Sequence, residues 1–139
     1  AYINRISGPL LDRFDIQVEV APVEYEHLSS GAKEESSEAI RERVQAAREI
    51  QQKRFAGTDI TCNAMITPDI LHDVCPMTDE ASVMLKNVFE KMGLSARAYD
   101  RILKVARTVA DMEGEEVIGK SHIARAVQFR SLDRKYWSE

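Results

Sequence analysis

The sequence predicts a mainly α-helical bundle that carries a single strand near its amino terminus. From residue 37 onward, apolar residues recur at spacings of three and four, which is the period of an amphipathic helix. Ser, Thr and Gly residues bound several of these stretches, as is typical of helix caps. Convincing alternation of apolar and polar residues occurs only at 15–20 (DIQVEV), where it predicts a half-buried strand.

The amino-terminal part combines a short helix with this strand. Residues 7–14 (SGPLLDRF) predict the helix, because a Ser followed two residues later by Pro is typical of a helix start. A lone strand cannot satisfy its own backbone hydrogen-bonding groups, so its partner strands are expected to lie in a longer protein. We therefore expect 15–20 to be disordered, swapped between chains or folded back on the bundle. A polar loop follows at 29–36 (SSGAKEES).

Five helices are predicted after this loop, each with an apolar stripe and recognisable ends. They are 37–55, a shorter helix in 67–75 ended by Pro76, a helix capped by Thr78 and closed by Gly93, a helix capped by Ser95 and closed by Gly114, and a last helix from about 119 or 120. On the last helix, Ile123, Ala126, Val127 and Arg130 are spaced for a packed face.

Composition bounds the class of protein. Hydrophobic residues make up 44% and charged residues 30%, and no apolar run approaches the roughly 18 residues that a membrane span needs. Residues 1–94 carry ten basic and sixteen acidic side chains, and 95–139 carry nine and seven, so neither part is basic enough to bind nucleic acid by charge alone.

The two cysteines and three histidines match no metal signature, and lone cysteines favour reduced thiols in the cytoplasm. The missing initiator Met suggests a piece of a longer protein.

Residues 114–121 (GEEVIGKS) match the phosphate-loop pattern G-x-x-x-x-G-K-[ST], but their context does not. A phosphate loop lies between a buried strand and a helix, whereas the residues before Gly114 have a helical period. Glu115 and Glu116 would also place two negative charges beside the phosphates. We therefore interpret the segment as a helix end, a short connection and the start of the next helix.

Two arginines stand out by their positions. Arg13 ends the short helix just before the strand, and Arg97 lies in the first turn of the longest helix. Their surroundings resemble the C-terminal part of the magnesium-chelatase-like AAA+ ATPases, most closely the ComM (YifB) subfamily. The resemblance covers nearly the whole chain and rests on ISGPLLDRFDIQVEV, ESSEAIRERVQAAREIQ, GLSARAYDRILKVARTVADMEG and IARAVQFRSLDR.

The resemblance implies roles for three arginines. Arg13 matches the arginine finger, which reaches the γ-phosphate of ATP held by a neighbouring subunit, and Arg97 matches the sensor-2 arginine of the helical lid. Arg5, in NRISGP, is a secondary candidate for an interface contact. Arginine suits these positions because its guanidinium is always protonated and presents a planar fork of donors to phosphate oxygens.

The resemblance also implies an organisation and partners. Residues 1–22 would end the αβα subdomain, 23–36 would form a linker, and 37–139 would form the helical lid. ATP and Mg²⁺ are expected in the full-length protein, whose phosphate loop and acidic motif would precede residue 1. This chain is therefore expected to hold neither and to be inactive alone. We expect a ring, a hexamer, that contacts DNA through other regions and has no membrane partner.

Three functions stay open at this point. The preferred one is ATP-driven remodelling of DNA, such as branch migration in competence or recombination. The first alternative is the motor subunit of a magnesium chelatase, which drives insertion of Mg²⁺ into a porphyrin. The second is a helical DNA-binding or adaptor module without ATPase activity, although the alternating charges of the longest helix, Arg107 and Asp111 among them, are typical of a solvated helix.

Overall fold

The computed structural model describes residues 5–130, and these form a helical bundle. The prediction of a mainly α-helical protein is confirmed. Within the described range there are seven α-helices, and a 3₁₀ turn lies at Asn63–Met65. The helices are α1 Gly8–Asp12, α2 Tyr25–Ser29, α3 Ser37–Arg54, α4 Leu71–Val74, α5 Asp79–Met92, α6 Ala96–Met112 and α7 Lys120–Gln128.

Helix α6 lies at the centre of the bundle. It contacts α7, α3 and the 3₁₀ turn, and α7 also packs on α5. The helix is buried along most of its length because Ile102, Val105, Ala106 and Ala110 fall on one stripe at helical spacing. The buried apolar core comprises Phe55, Ile66, Leu71, Cys75, Ala81, Leu85, Ile102, Leu103, Val105, Ala106, Ala110, Ile118, Ile123 and Ala126.

The ends of the long helices follow the chemistry of their sequences. The hydroxyls of Ser36, Thr78 and Ser95 each accept a hydrogen bond from the backbone N–H three residues further on, at 3.1–3.2 Å. Each such cap typically contributes about 1 kcal/mol to helix stability. Gly93, with φ 58°, closes α5 in the left-handed conformation that glycine adopts without a steric penalty. The predicted Thr78 and Ser95 caps and the Gly93 stop are confirmed.

The strand predicted at 15–20 does not form in the described chain. Its apolar positions are exposed, with Ile16 at 53%, Val18 at 62% and Val20 at 86% of their maximal accessible area. The physical reason is that a strand is stabilised by hydrogen bonds to a neighbouring strand, and in residues 5–130 the pairing is limited to an isolated bridge between Met77 and Ile118.

Part of this segment does fold back on the bundle, which was one of the expected outcomes. Gln17 is buried, its backbone N–H donates to the carbonyl oxygen of Phe129 at 2.7 Å, and its side-chain amide donates to that of Leu11 at 3.1 Å. Hydrogen bonds to the end of α7 and to α1 therefore replace those of a sheet at this residue.

Sequence patterns did not predict helix α2, and the last predicted helix extends beyond the described residues. Helix α2 lies where a linker was expected, and it is a single exposed turn without a side-chain cap, so it has no periodic signature. Residues 131–139, which contain most of the RSLDR motif and the end of the predicted last helix, lie outside the described residues, as do residues 1–4. The domain limits at 22 and 36 stay predictions. Among residues 5–130, no helix combines the length and apolarity required to cross a bilayer.

Candidate functional site

Arg13 lies at the carboxyl end of α1, where its side chain is exposed. The Ser7 hydroxyl accepts the N–H of Leu10 at 3.3 Å, and Pro9 occupies the first turn, where its missing N–H has no consequence. Leu11 is buried and fixes the short helix on the protein surface. The backbone N–H of Arg13 bonds to the carbonyl of Leu10 at 3.1 Å and ends the helix. The guanidinium is therefore carried on an anchored turn and remains open to solvent.

Arg97 is exposed in the first turn of α6 and lines a cleft of about 550 Å³. Arg101 and Lys104 follow it at spacings of four and three, so the three cations lie on one face of the helix beside the cleft. Asp15 and Ile16 line the cleft as well, and they come from the segment that follows α1. The cleft thus lies between the helix that carries Arg97 and the segment next to Arg13.

Side-chain contacts join these two neighbourhoods. Asp12 accepts a hydrogen bond from the Ser95 hydroxyl at 3.1 Å, and Asp15 pairs with the guanidinium of Arg101. Asp12 and Asp15 lie on either side of Arg13 in the chain, while Ser95 and Arg101 lie on either side of Arg97. The structure therefore brings the two arginines predicted from sequence to one junction between α1 and α6.

Arg130 also belongs to this junction. Its guanidinium is buried, with 1% of the residue exposed, and donates to the Phe14 carbonyl at 2.9 Å and to Asp12 at 3.2 Å. The sequence indicated a packed position on the last helix but gave no sign of these partners, which are more than 110 residues away in the chain. Arg5 is exposed at the start of the described residues, and its interface role stays a prediction.

The segment Gly114–Ser121 has a geometry opposite to that of a phosphate loop. Helix α6 precedes it, and two of its carbonyl oxygens, those of Glu115 and Glu116, accept hydrogen bonds from the Arg107 guanidinium at 2.5 and 2.6 Å. A phosphate loop instead directs backbone N–H groups at its ligand.

The backbone N–H groups of this segment are committed elsewhere. That of Ile118 donates to the Pro76 carbonyl at 2.8 Å, and that of Gly119 donates to Nδ1 of His122 at 2.8 Å. His122 must then carry its proton on Nε2, which lies 2.6 Å from a carboxylate oxygen of Glu113. The segment is therefore a helix-to-helix connection that starts α7, with no free donors at these two positions for an anion.

Comparison with known families places the chain. The family model described as magnesium chelatase, subunit ChlI C-terminal, matches residues 34–130. The chain belongs to this family. A second model, described as magnesium chelatase, subunit ChlI, matches residues 1–28.

Two bacterial proteins are among the relatives of this chain. The chain is 42% identical over 134 residues to the competence protein ComM of Haemophilus influenzae and 39% identical over 134 residues to the protein YifB of Escherichia coli. Each alignment covers 96% of the present chain and 26% of the relative. The chain therefore spans about a quarter of the length of the curated relatives it matches. The resemblance to the ComM and YifB proteins predicted from sequence is confirmed.

A buried polar cluster connects three parts of this domain. Asp111 on α6 accepts hydrogen bonds from Arg54 on α3, at 2.9 and 2.5 Å, and from the side-chain amide of Asn63 in the 3₁₀ turn at 2.9 Å. Arg107 lies one helical turn before Asp111, with its Nε 3.2 Å from the carboxylate. One carboxylate thus balances two guanidinium groups.

The cluster corrects the expectation that Arg107 and Asp111 belong to a solvated stripe, since both are buried to within 2% of full burial. The alternation of charges along the helix did not predict this burial, because Arg54 and Asn63 lie 57 and 48 positions away from Asp111 in the chain. The hydrogen bond to Asp111 raises the pKa of Arg54, and burial lowers the pKa of Arg107. Burial also raises the pKa of the neighbouring Cys75 thiol to about 11, although both arginines oppose this shift. A cluster so enclosed holds the fold together and is closed to a substrate.

The side chains of the described residues fit part of the chemistry that the family resemblance implies. Exposed guanidiniums at Arg13 and Arg97 suit contact with the phosphate oxygens of ATP. Residues 114–121 do not suit the enclosure of a phosphate, and within 5–130 no three His, Cys, Asp or Glu side chains group as metal ligands would. The residues fit a phosphate contact made from outside a nucleotide pocket.

Proposed function

We propose that this chain is the lid and arginine-finger region of a ring-forming ATPase that remodels DNA. Its membership of the magnesium chelatase C-terminal family supports the ATPase part of the proposal. The observation that carries the proposal is the α1–α6 junction. There Arg13 and Arg97 are both exposed while their neighbours in the chain are held by Asp12–Ser95 and Asp15–Arg101 contacts.

In this proposal, Arg13 contacts the γ-phosphate of ATP bound by the adjoining subunit. Negative charge spreads over the γ-phosphate oxygens during transfer, and a permanently charged guanidinium stabilises it. Such an arginine typically accelerates hydrolysis by about 10³–10⁵-fold, or roughly 4–7 kcal/mol of barrier. Because the arginine and the nucleotide belong to different subunits, hydrolysis depends on ring assembly.

The DNA-remodelling part is supported by similarity to a competence protein. We propose branch migration during competence or recombination as the process that the ATPase drives, in the bacterial cytoplasm. The second candidate, a magnesium chelatase motor, is favoured by the description of the family. A strand-exchange assay on forked DNA and a porphyrin metallation assay with a partner subunit separate the two.

Arg13→Ala tests the ATPase proposal in a protein of the relatives' length that contains this chain. We expect ATP binding to be nearly unchanged and turnover to fall by at least about a hundredfold, because the arginine acts on the transition state. Steady-state hydrolysis and fluorescent-nucleotide titration measure the two quantities. Arg43→Ala is the matched control, because that arginine is exposed and pairs with Glu35 on the protein surface. Unchanged hydrolysis in Arg13→Ala would remove the proposed role.

Arg97→Ala completes the test. We expect weaker nucleotide binding, slower turnover or both, in line with a sensor-2 role. Mixing Arg13→Ala subunits with subunits unable to bind ATP distinguishes an action across the interface from one within a subunit. Recovery of hydrolysis in the mixture is expected for a finger that acts on its neighbour.

A further inference from the structure

The side chains of Arg130, Asp12 and Ser95 form a continuous link across the α1–α6 junction. Arg130 donates to both residues that flank Arg13, to the carbonyl oxygen of Phe14 at 2.9 Å and to the carboxylate of Asp12 at 3.2 Å. The other oxygen of the same carboxylate accepts the Ser95 hydroxyl at 3.1 Å. Both oxygens of Asp12 are therefore used, one toward the end of α7 and one toward the start of α6.

Ser95 serves two elements at once. Its Oγ accepts the N–H of Ala98 at 3.1 Å and so caps α6, while its O–H donates to Asp12. Arg97 lies two residues after this cap, inside the first turn. The residue next to Arg13 is thereby tied to the amino terminus of α6.

Burial fixes one end of the link, at Arg130. Arg130 is 1% exposed, and its planar guanidinium fork holds a carbonyl and a carboxylate in fixed directions. Asp12 has 38% of its side chain exposed, so its contact with Arg130 lies at the edge of the bundle. Arg13, the next residue in the chain, is exposed at the same edge.

We infer that Arg130, Asp12 and Ser95 are positioning residues that couple the orientation of Arg13 to the start of the helix carrying Arg97. The inference rests on the proposed function. Through this link, a nucleotide contact at Arg97 alters where Arg13 points. Misplacing such a group by about 1 Å can reduce the rate about a hundredfold.

Ser95 offers a variant that separates the link from the helix cap. Asp caps a helix about as well as Ser, but an ionised carboxylate has no proton to donate to Asp12. We expect Ser95→Asp to lower kcat for ATP by between about tenfold and a hundredfold while KM stays within about twofold. Ser95→Thr keeps the hydroxyl, and this variant should retain the parental kcat. Thermal unfolding checks that the fold is retained.

Asp12→Ala provides a second route that adds no charge near Arg97. It removes the acceptor of both Ser95 and Arg130, and it lies in the short helix α1, outside the buried core. The same fall in kcat is expected. Glu35→Gln, which breaks the exposed pair with Arg43, is the control that should leave kcat unchanged.

The deciding measurement repeats both substitutions in the Arg13→Ala background. If Ser95 and Asp12 act through Arg13, the double variants hydrolyse ATP no more slowly than Arg13→Ala alone, because residues that act as a unit are not additive. If the losses multiply, or if Ser95→Asp and Asp12→Ala keep the parental kcat, the positioning role is overturned while the proposed function stands. If Arg13→Ala itself hydrolyses ATP normally, the proposed function fails, and with it the inference.

Discussion

Asp111 is the common counter-charge of two arginines, Arg54 and Arg107. It is 2% exposed and neutralises guanidinium groups from α3 and from its own helix, Arg54 and Arg107. A buried ion pair contributes little compared with an apolar replacement of both partners, but removal of one partner leaves an uncompensated charge in the interior. The carboxylate is therefore more important for what it neutralises than for the hydrogen bonds it accepts.

Asp111→Ala should lower the free energy of unfolding by about 3–5 kcal/mol, since two arginines lose their common counter-charge. Urea denaturation followed by circular dichroism measures the change. Glu35→Gln is the matched control, because it breaks an ion pair whose side chains are about half exposed and should change stability by less than about 1 kcal/mol. Equal changes in the free energy of unfolding for the two substitutions would show that the buried cluster does not stabilise the fold in this way.

The positions and contacts of individual side chains could be predicted only in part from the sequence. The positions of Arg13 and Arg97 could be predicted, because each is fixed by a local helix boundary. The burial of Arg107 could not, because a charge on a helix is solvated by default. The partners of Arg130 could not be predicted either, because they lie more than 110 residues away in the chain. Local spacing does not reveal such partners.

At the scale of elements, the sequence predicted an element correctly where nearby residues satisfy its backbone hydrogen-bonding groups. Helices α5 and α6 are capped by Thr78 and Ser95 as predicted, because a cap involves residues three apart. The strand at 15–20 has the correct alternation but depends on a neighbour, and the described chain offers none. Periodicity thus predicts which face an element would bury, and pairing decides whether a strand exists.

The connection at 114–121 allows a prediction at the same scale. Since its carbonyls face Arg107 and two of its N–H groups are already bonded, we expect Lys120→Gln to leave ATP binding unchanged in the present chain and in a protein of the relatives' length. Fluorescent-nucleotide titration of parent and variant measures this. A Kd below about 1 mM for the present chain that is lost in Lys120→Gln would restore the phosphate-loop interpretation.

At the scale of the whole molecule, charge argues against a DNA-binding module that acts alone. The net charge is −4, and of the nine basic residues in 95–139, Arg107 and Arg130 are buried while Arg101 is paired with Asp15. Nonspecific DNA binding requires several exposed cations that release counterions from phosphates. In the present chain 23 acidic side chains outnumber 19 basic ones, so repulsion between the protein and the phosphates opposes such binding.

We therefore expect this chain to bind duplex and forked DNA weakly, with Kd above about 10⁻⁴ M at physiological salt. Electrophoretic mobility shift at two salt concentrations measures the affinity and its salt dependence. Arg97→Glu, which reverses an exposed charge at the cleft, is a suitable comparison and should make little difference. Tight binding that weakens steeply with salt and with Arg97→Glu would favour the adaptor function over the motor.

The hydrogen bonds from Arg107 to Glu115 and Glu116 are made to main-chain oxygens, so the side chains at those two positions take no part in them. Any amino acid compatible with the turn would present the same oxygens to the guanidinium. Substitutions at these two positions can consequently accumulate during evolution without altering the contact that holds the connection in place.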